Sequence, residues 1–465
     1  MTTTITNPWH SRPIDVHRWS EHPEAASLVD RLWAAHFQDF DQPHRSGPKP
    51  KTTFKQQFKA VMLDLFVAWK TDPELCIGVP MSSNGWDTSS RYNALRLSKK
   101  VIPLVHRAQR VGLIDLANGS YSGPYGRANR NTRIRAAAPL REMFAEVTVD
   151  LSDVRRHPDQ ECIVLKQDDS LVEYEDTDHT QAMRQRLRTY NTMLLQTFID
   201  IPSLEEPFID RQITNGPDAG QVERVTISDD QKFVRRIFSR GRWDLNGRFY
   251  GPWWQQVGKG WRSQIFINDQ PTVEVDFKGL HVNLLSLEQG VVIEGDPYEL
   301  PAGVFPEVSP LLQRELVKKL VLKGINAPTK PSAFSSFRQD WPTGHVAKAL
   351  SNDQLTGLLD LFFEKHPHLS GKLCADHGIR LMYVDSCITD QVLTVATNLG
   401  FPVLGIHDSF IVAREEQETL LQIVNTATRE LLGAELPVET FVPDLNPNRS
   451  EGYLARLEQH RGRFS

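Results

Sequence analysis

Two stretches place carboxylates where apolar residues otherwise dominate. In 272–277, TVEVDF, Val273, Val275 and Phe277 alternate with Thr272, Glu274 and Asp276, the period-two pattern of a strand with one apolar face. In 404–412, LGIHDSFIV, His407 and Asp408 interrupt two apolar runs. The spacing puts Asp276 at a strand end, just before Gly279 and a helical stretch, and Asp408 at the bend of a second ribbon. Two strand-end carboxylates far apart in sequence can meet across a sheet. Such a pair suits hard cations such as Mg²⁺ or Mn²⁺, which take oxygen ligands and stabilise the attacking and leaving oxygens of a phosphoryl transfer. Taken singly, each Asp is more simply a helix or turn cap.

Two further stretches supply positive charge. In 309–327, SPLLQRELVKKLVLKGINA, Ser309 reads as an N-cap and Pro310 as the first helical residue. Arg314 and Lys318 are four apart and share one helix face, which could hold a triphosphate; alone, it is a solvated basic edge. In 241–255, GRWDLNGRFYGPWWQ, polar, Gly and aromatic residues follow no clean period. That stretch reads as a shaped loop carrying Arg248, suited to stacking and phosphate contact. Trp253, Trp254 and Trp261 read as packing residues. His366, His368 and His377 read as loop residues rather than a metal site.

The elements that must hold these residues begin with a helix at 54–70 and a short one near 25–37, inside a polar extension, 1–50. The stretch 90–116 reads as two helices and a strand, with Gly112 as a C-cap between the second helix and the strand. A hairpin tip and return strand end at about 137. Pro103 must kink its helix or move its start. From 88 to 145 there are eleven Lys/Arg against two Asp/Glu; from 146 to 178, eleven Asp/Glu against three Lys/Arg. Helix, helix, strand and basic hairpin is the order of a winged helix-turn-helix. Its helix would bring Lys99, Lys100, Arg107 and Arg110 to a groove, and its wing would lay Arg127, Arg130, Arg133 and Arg135 on phosphates. The expected domains are therefore 51–145, an acidic linker at 146–180, and a core from 181 to 465 that opens with a helix at 178–199.

In order and spacing, roughly 235–430 resembles the palm-and-fingers core of family A DNA polymerases and phage-type single-subunit RNA polymerases. Asp276 with Gly279, Leu280 and His281 is similar to motif A. Arg314, Lys318, Asn326 and Ala327 are similar to motif B, with Asn-Ala where the pattern has Tyr-Gly. His407-Asp408-Ser409-Phe410 is similar to motif C, nearer the RNA polymerase form. The stretch from Asp244 through Gly247 and Arg248 to Tyr250 resembles the DxRGRxY motif, and Gly295-Asp296-Pro297-Tyr298 falls where family A chains often carry a Gly-Asp pair.

The resemblance implies an α+β chain: a winged-helix-like module, then a right-hand palm built on an antiparallel sheet, with small helical fingers. It implies two Mg²⁺ (or Mn²⁺) ions held by Asp276 and Asp408, with the Phe277 carbonyl as a further ligand. It also implies nucleotide phosphates on Arg314 and Lys318, with Lys318 assisting the leaving pyrophosphate. His281 and Asn326 would lie near the nucleotide, and Arg248 and Tyr250 near template or primer. His281 stands where DNA enzymes carry a Glu that excludes a 2′-hydroxyl, so sugar choice stays open. The implied partners are a DNA or RNA template-primer, nucleoside triphosphates and other replication proteins, in the setting of a primase-polymerase of a phage or mobile element. The alternatives are a non-catalytic DNA-binding replication initiator or regulator with a degenerate palm, and a template-independent terminal transferase.

The totals narrow the class. The chain has 465 residues, net charge −5, 40% hydrophobic and 24% charged residues, so it is globular rather than disordered. Cys76, Cys162, Cys374 and Cys387 form no CxxC; neither a zinc ribbon nor a disulfide framework is expected. No apolar run approaches a membrane span, and the expected setting is cytoplasmic.

Overall fold

The computed structural model describes residues 5, 7, 10–41, 52–121, 129–213, 220, 222–301, 308–444 and 448–464. The chain divides into two compact units. The first joins Met1–Cys162 with Leu204–Phe233 and Gly251–Val257; the second joins Ile163–Ser203 with Val234–Tyr250 and Gly258–Ser465. The boundaries thus fall elsewhere than the charge pattern suggests. The acidic stretch is not a bare linker: its apolar Ile163–Gln167 forms a strand parallel to Arg235–Phe238. Nor is 1–50 a loose extension. Ser11–Pro13 pairs in parallel with Cys76–Val79, and helix Pro23–His36 buries Leu28, Leu32 and Trp33.

In the first unit, helix Phe54–Thr71 starts at a Thr53–Gln56 capping box. The Phe37 and Phe58 rings pack at 4.4 Å, tilted by 42°, in its core. Arg18, 3% exposed, ties the unit's segments together: its Nε donates to Asp64 at 2.7 Å and its Nη1 to Asp230. Arg12 donates to the same Asp64 at 2.7 Å. Removing one carboxylate here would strand a buried charge.

The basic module has one helix fewer than expected. Residues before Lys100 form turns, and a single helix, Val101–Arg110, follows. The Asn93 side chain explains this. It donates to Asp87 O and Leu97 O, each at 2.8 Å, and accepts from Leu97 N at 3.0 Å, and such local bonds compete with helix. Arg96 is at φ +51°. Pro103 lies in the first helical turn, where its missing N–H costs no bond. Gly112, at φ +75°, follows the helix as expected. Ile114–Ala117 and Thr132–Ala136 make the hairpin, and the sheet runs 11–13, 76–79, 132–136, 114–117.

The second unit is built on a six-stranded sheet. Its centre is strand Gln270–Phe277, flanked by Ser409–Ala413 and by Val438–Phe441, both antiparallel. Leu404–Ile406 pairs with Ser409–Ala413 through a two-residue turn, His407–Asp408. Val273, Val275 and Phe277 are buried while Glu274 and Asp276 are only partly so, as the alternation requires. Helices Leu280–Leu287, Pro310–Asn326 and Gly378–Leu399 carry the other candidate groups. Arg248 lies not in a loop but on strand Asn246–Tyr250, because Arg235–Phe238 supplies the partner that an irregular sequence cannot reveal.

Gly279 makes the bend from the central strand into the next helix. Its φ is +59°, and a Cβ there would come within 2.7 Å of Pro297 Cγ. Left-handed backbone and close approach both select glycine. Gly279→Ala is therefore expected to cost about 1–3 kcal/mol, read as a lower denaturant midpoint; an unchanged midpoint would contradict this account of the bend.

Candidate active site

Strand pairing brings the two carboxylates together. Asp276 stands opposite Ser409 on one side and Glu439 on the other. Asp408 immediately precedes Ser409, in a turn where His407 takes φ +54°. That sign is rare outside glycine and suits a tight hairpin turn. Burial pushes the Asp276 carboxyl from 3.8 up to about 7, with the charges of Asp408 and Glu274 adding to it; Lys318 opposes and Glu439 reinforces. Neighbouring like charges and partial desolvation both disfavour the ionised form. Glu274 is itself engaged: Ser409 Oγ donates to it at 2.7 Å, and Arg262 lies 3.4 Å away.

Such a pair fits a divalent cation. Mg²⁺ takes one or two protein carboxylates and fills its remaining positions with water and phosphate oxygens. Among the described residues no group of three or more His, Cys, Asp or Glu forms a cage. Phe277 is buried with its ring 6.2 Å from that of Phe410.

The cations divide into two groups. Lys318 is exposed and its charge reaches Asp276. Arg314, one turn earlier on the same helix, is ion-paired with Asp296. Burial pushes Asp296 up, but the Arg314 hydrogen bond and the Tyr298 backbone N–H outweigh it and hold the carboxyl low. The loop carrying Asp296 is pinned in turn. Lys365 donates to Asp296 O and Glu299 O, each at 2.7 Å, and His366 Nε2 donates to Pro297 O at 2.9 Å. His366 and His368 serve this packing, His368 bonding Ser286 Oγ at 2.9 Å. Tyr298, 2% exposed, has its phenol pushed up by burial and by the charge of Asp296, with Asp408 contributing.

Arg248 and His281 meet on a residue that carries no motif. Asp385, 2% exposed on helix Gly378–Leu399, accepts from Arg248 Nε at 3.0 Å and from Arg248 Nη2. It also accepts from His281 Nε2 at 3.1 Å. Burial alone would lower the Arg248 guanidinium; the hydrogen bond and charge of Asp385, and the charge of Asp408, raise it instead. The signal that could have found Asp385 was an Asp on the apolar face of a long helix. Tyr250 donates to Asn246 Oδ1 at 3.1 Å, and its ring lies 5.4 Å from His407. Asn326 is turned to its own helix end. Its amide donates to Leu322 O at 2.7 Å, and it presses on Gly378, where a Cβ would come 1.9 Å from its Oδ1.

The basic module's cations are less uniform than the charge count suggests. Lys99 and Arg110 are exposed. Lys100 lies 4.9 Å over the Phe54 ring. Arg107 pairs with Asp39 at 2.5 Å and bonds His36 O at 3.0 Å. Arg135 corrects the wing expectation: it is 5% exposed and paired with Asp115 at 3.0 Å and with Glu74. Strand alternation puts it on the face of Arg133, opposite the core residues Ile134 and Ala136, and its carboxylate partners cover it there. Arg127 lies outside the described residues. Trp253 and Trp254 are fully buried in the first unit.

No family model matches this chain, and no curated protein does. Among solved structures, 71 chains match. One is the POL domain of Pol1 from M. smegmatis in complex with DNA primer-template and dNTP, at 12% identity and TM-score 0.29. The match covers 92% of this chain and 66% of that one, so the chain spans just under two thirds of its length.

A raised folded-state pKa means that the fold favours protonated Asp276. Its stabilising contribution is complete below the ordinary carboxylate range and is lost as pH rises toward 7. In EDTA, Asp276→Asn should therefore melt above wild type at pH 8, by about 2 °C, with the gap closing toward pH 4. A gap independent of pH would contradict the electrostatic reading of the pair.

Proposed function

We propose that this chain is a template-directed nucleotidyltransferase, extending a primer on a DNA or RNA template with release of pyrophosphate. The observation that carries this reading is the pairing of the central strand with the hairpin. It sets Asp276 beside Asp408, with Lys318 in electrostatic reach. The order of the four sequence motifs supports it.

Asp276 and Asp408 would hold Mg²⁺ or Mn²⁺, with the Phe277 carbonyl as a further oxygen donor. When bound, the metal supplies charge that stabilises the attacking and leaving oxygens. The primer 3′-hydroxyl gives up its proton to solvent as its oxygen bonds to the α-phosphorus, and the bond from the α-phosphorus to the bridging oxygen breaks to free pyrophosphate. Lys318 supplies positive charge, and a proton, to that leaving group. Arg314 takes phosphate oxygens in exchange for Asp296. Arg248, neutralised by Asp385 and fixed beside His281, orients the primer end or template. His281 and Asn326 lie on the nucleotide side, His281 positioned by Asp385. The helix–strand–helix–hairpin order of the first unit supports a winged-helix-like module that holds nucleic acid, through Lys99 and Arg110 rather than Arg135.

The test is incorporation of labelled nucleotides on a primed template with Mg²⁺, offering dNTPs and NTPs separately. Asp276→Asn and Asp408→Asn should each lower incorporation about 10²–10³-fold while template-primer affinity stays nearly constant. Incorporation equal to wild type in either variant removes the acid-pair assignment. Wild type that binds template but incorporates nothing favours a non-catalytic initiator. Extension without a template favours a terminal transferase.

A further inference from the structure

The sheet of the first unit borders an open groove of about 680 Å³. Arg12, Arg130 and Arg133 line it, with Tyr121, Asn129 and Asn131, and among the described residues no carboxylate does. Arg12 is spoken for by Asp64. Arg133 is different: its Nε donates to Ser11 Oγ and its Nη1 to Asn131 O, each at 2.6 Å. Both partners are uncharged. Burial, and then the charge of Arg130, hold the Arg133 guanidinium below its usual value, so two like charges are held close together at the groove. An incoming anion removes that repulsion.

The floor leaves the Arg133 side chain room. A Cβ at Gly78 would come within 3.0 Å of Arg133 Nη1, and one at Gly119 would come within 2.7 Å of the Arg130 backbone O, where the hairpin strands close on each other. Tyr121, which lines the same groove, is 77% exposed. Ring, paired arginines and amides are what a nucleic-acid strand with unpaired bases requires: phosphates for the arginines, a base face for the ring, base edges for the amides. A duplex offers the phosphates but keeps its base faces stacked inside.

We propose that this groove binds single-stranded nucleic acid, with phosphates on Arg130 and Arg133 and a base stacked on Tyr121. The site lies wholly in the first unit and does not depend on the nucleotidyltransferase reading.

The test uses the full chain in EDTA without nucleotides, with fluorescein-labelled oligo(dT), oligo(U) and a DNA duplex followed by anisotropy. Tyr121→Ala should weaken single-strand binding about tenfold and leave duplex binding unchanged, while Tyr121→Phe keeps the affinity. Arg130→Gln should reduce the slope of log K against log salt by about 0.7 on single strands. An oligonucleotide carrying 5-iodouracil should photo-crosslink to Tyr121. Unchanged affinity in Tyr121→Ala, an unchanged slope in Arg130→Gln, or an equal loss on duplex would each overturn the proposal. So would crosslinks confined to the second unit.

Discussion

Everything at the candidate site follows from two carboxylates being forced into proximity by backbone pairing. The register of the central strand with the hairpin leaves Asp276 and Asp408 no freedom to separate without breaking the ladder. Burial of Asp276, and then repulsion from Asp408 with Glu274 and Glu439 near, disfavours its charged form and appears as its rise to about 7. A fold selected for stability alone would place an apolar or amide side chain there. Retaining the pair makes sense if a cation relieves the repulsion, as the proposed function requires.

The surrounding positive charge is arranged by the same logic. Arg248 is not left to collapse onto the acid pair, because Asp385 neutralises it from behind and holds its plane. Arg314 is likewise occupied by Asp296, which leaves Lys318 as the cation whose field acts on Asp276. A carboxylate partner on each arginine holds its guanidinium in place. Gly279 and the pinned loop at 295–300 belong to this arrangement, since they set where Asp296 and Tyr298 stand.

The sequence disclosed what depends on local pattern. Alternation in TVEVDF gave the strand and its faces, and Ser309-Pro310 gave the helix start. The apolar runs around His407-Asp408 gave the hairpin. What it hid depends on distant partners. Strand Asn246–Tyr250 looks irregular until Arg235–Phe238 pairs with it. Arg135 counts as one more basic residue until Asp115 and Glu74 are seen beside it. Asp385 sits among apolar residues with no neighbour in sequence to mark it. The expected second helix of the basic module failed because Asn93 satisfies its neighbours' backbone groups locally, a competition that apolar spacing does not register.

The most direct measurement is a Mn²⁺ titration of the full chain followed by electron paramagnetic resonance, with wild type, Asp276→Asn and Asp408→Asn side by side. Each variant keeps the shape of the side chain and removes one charge. The account predicts a Mn²⁺ site in wild type that either substitution abolishes, because the two carboxylates form one site. Equal Mn²⁺ binding by all three proteins, or a loss in only one variant, would contradict it.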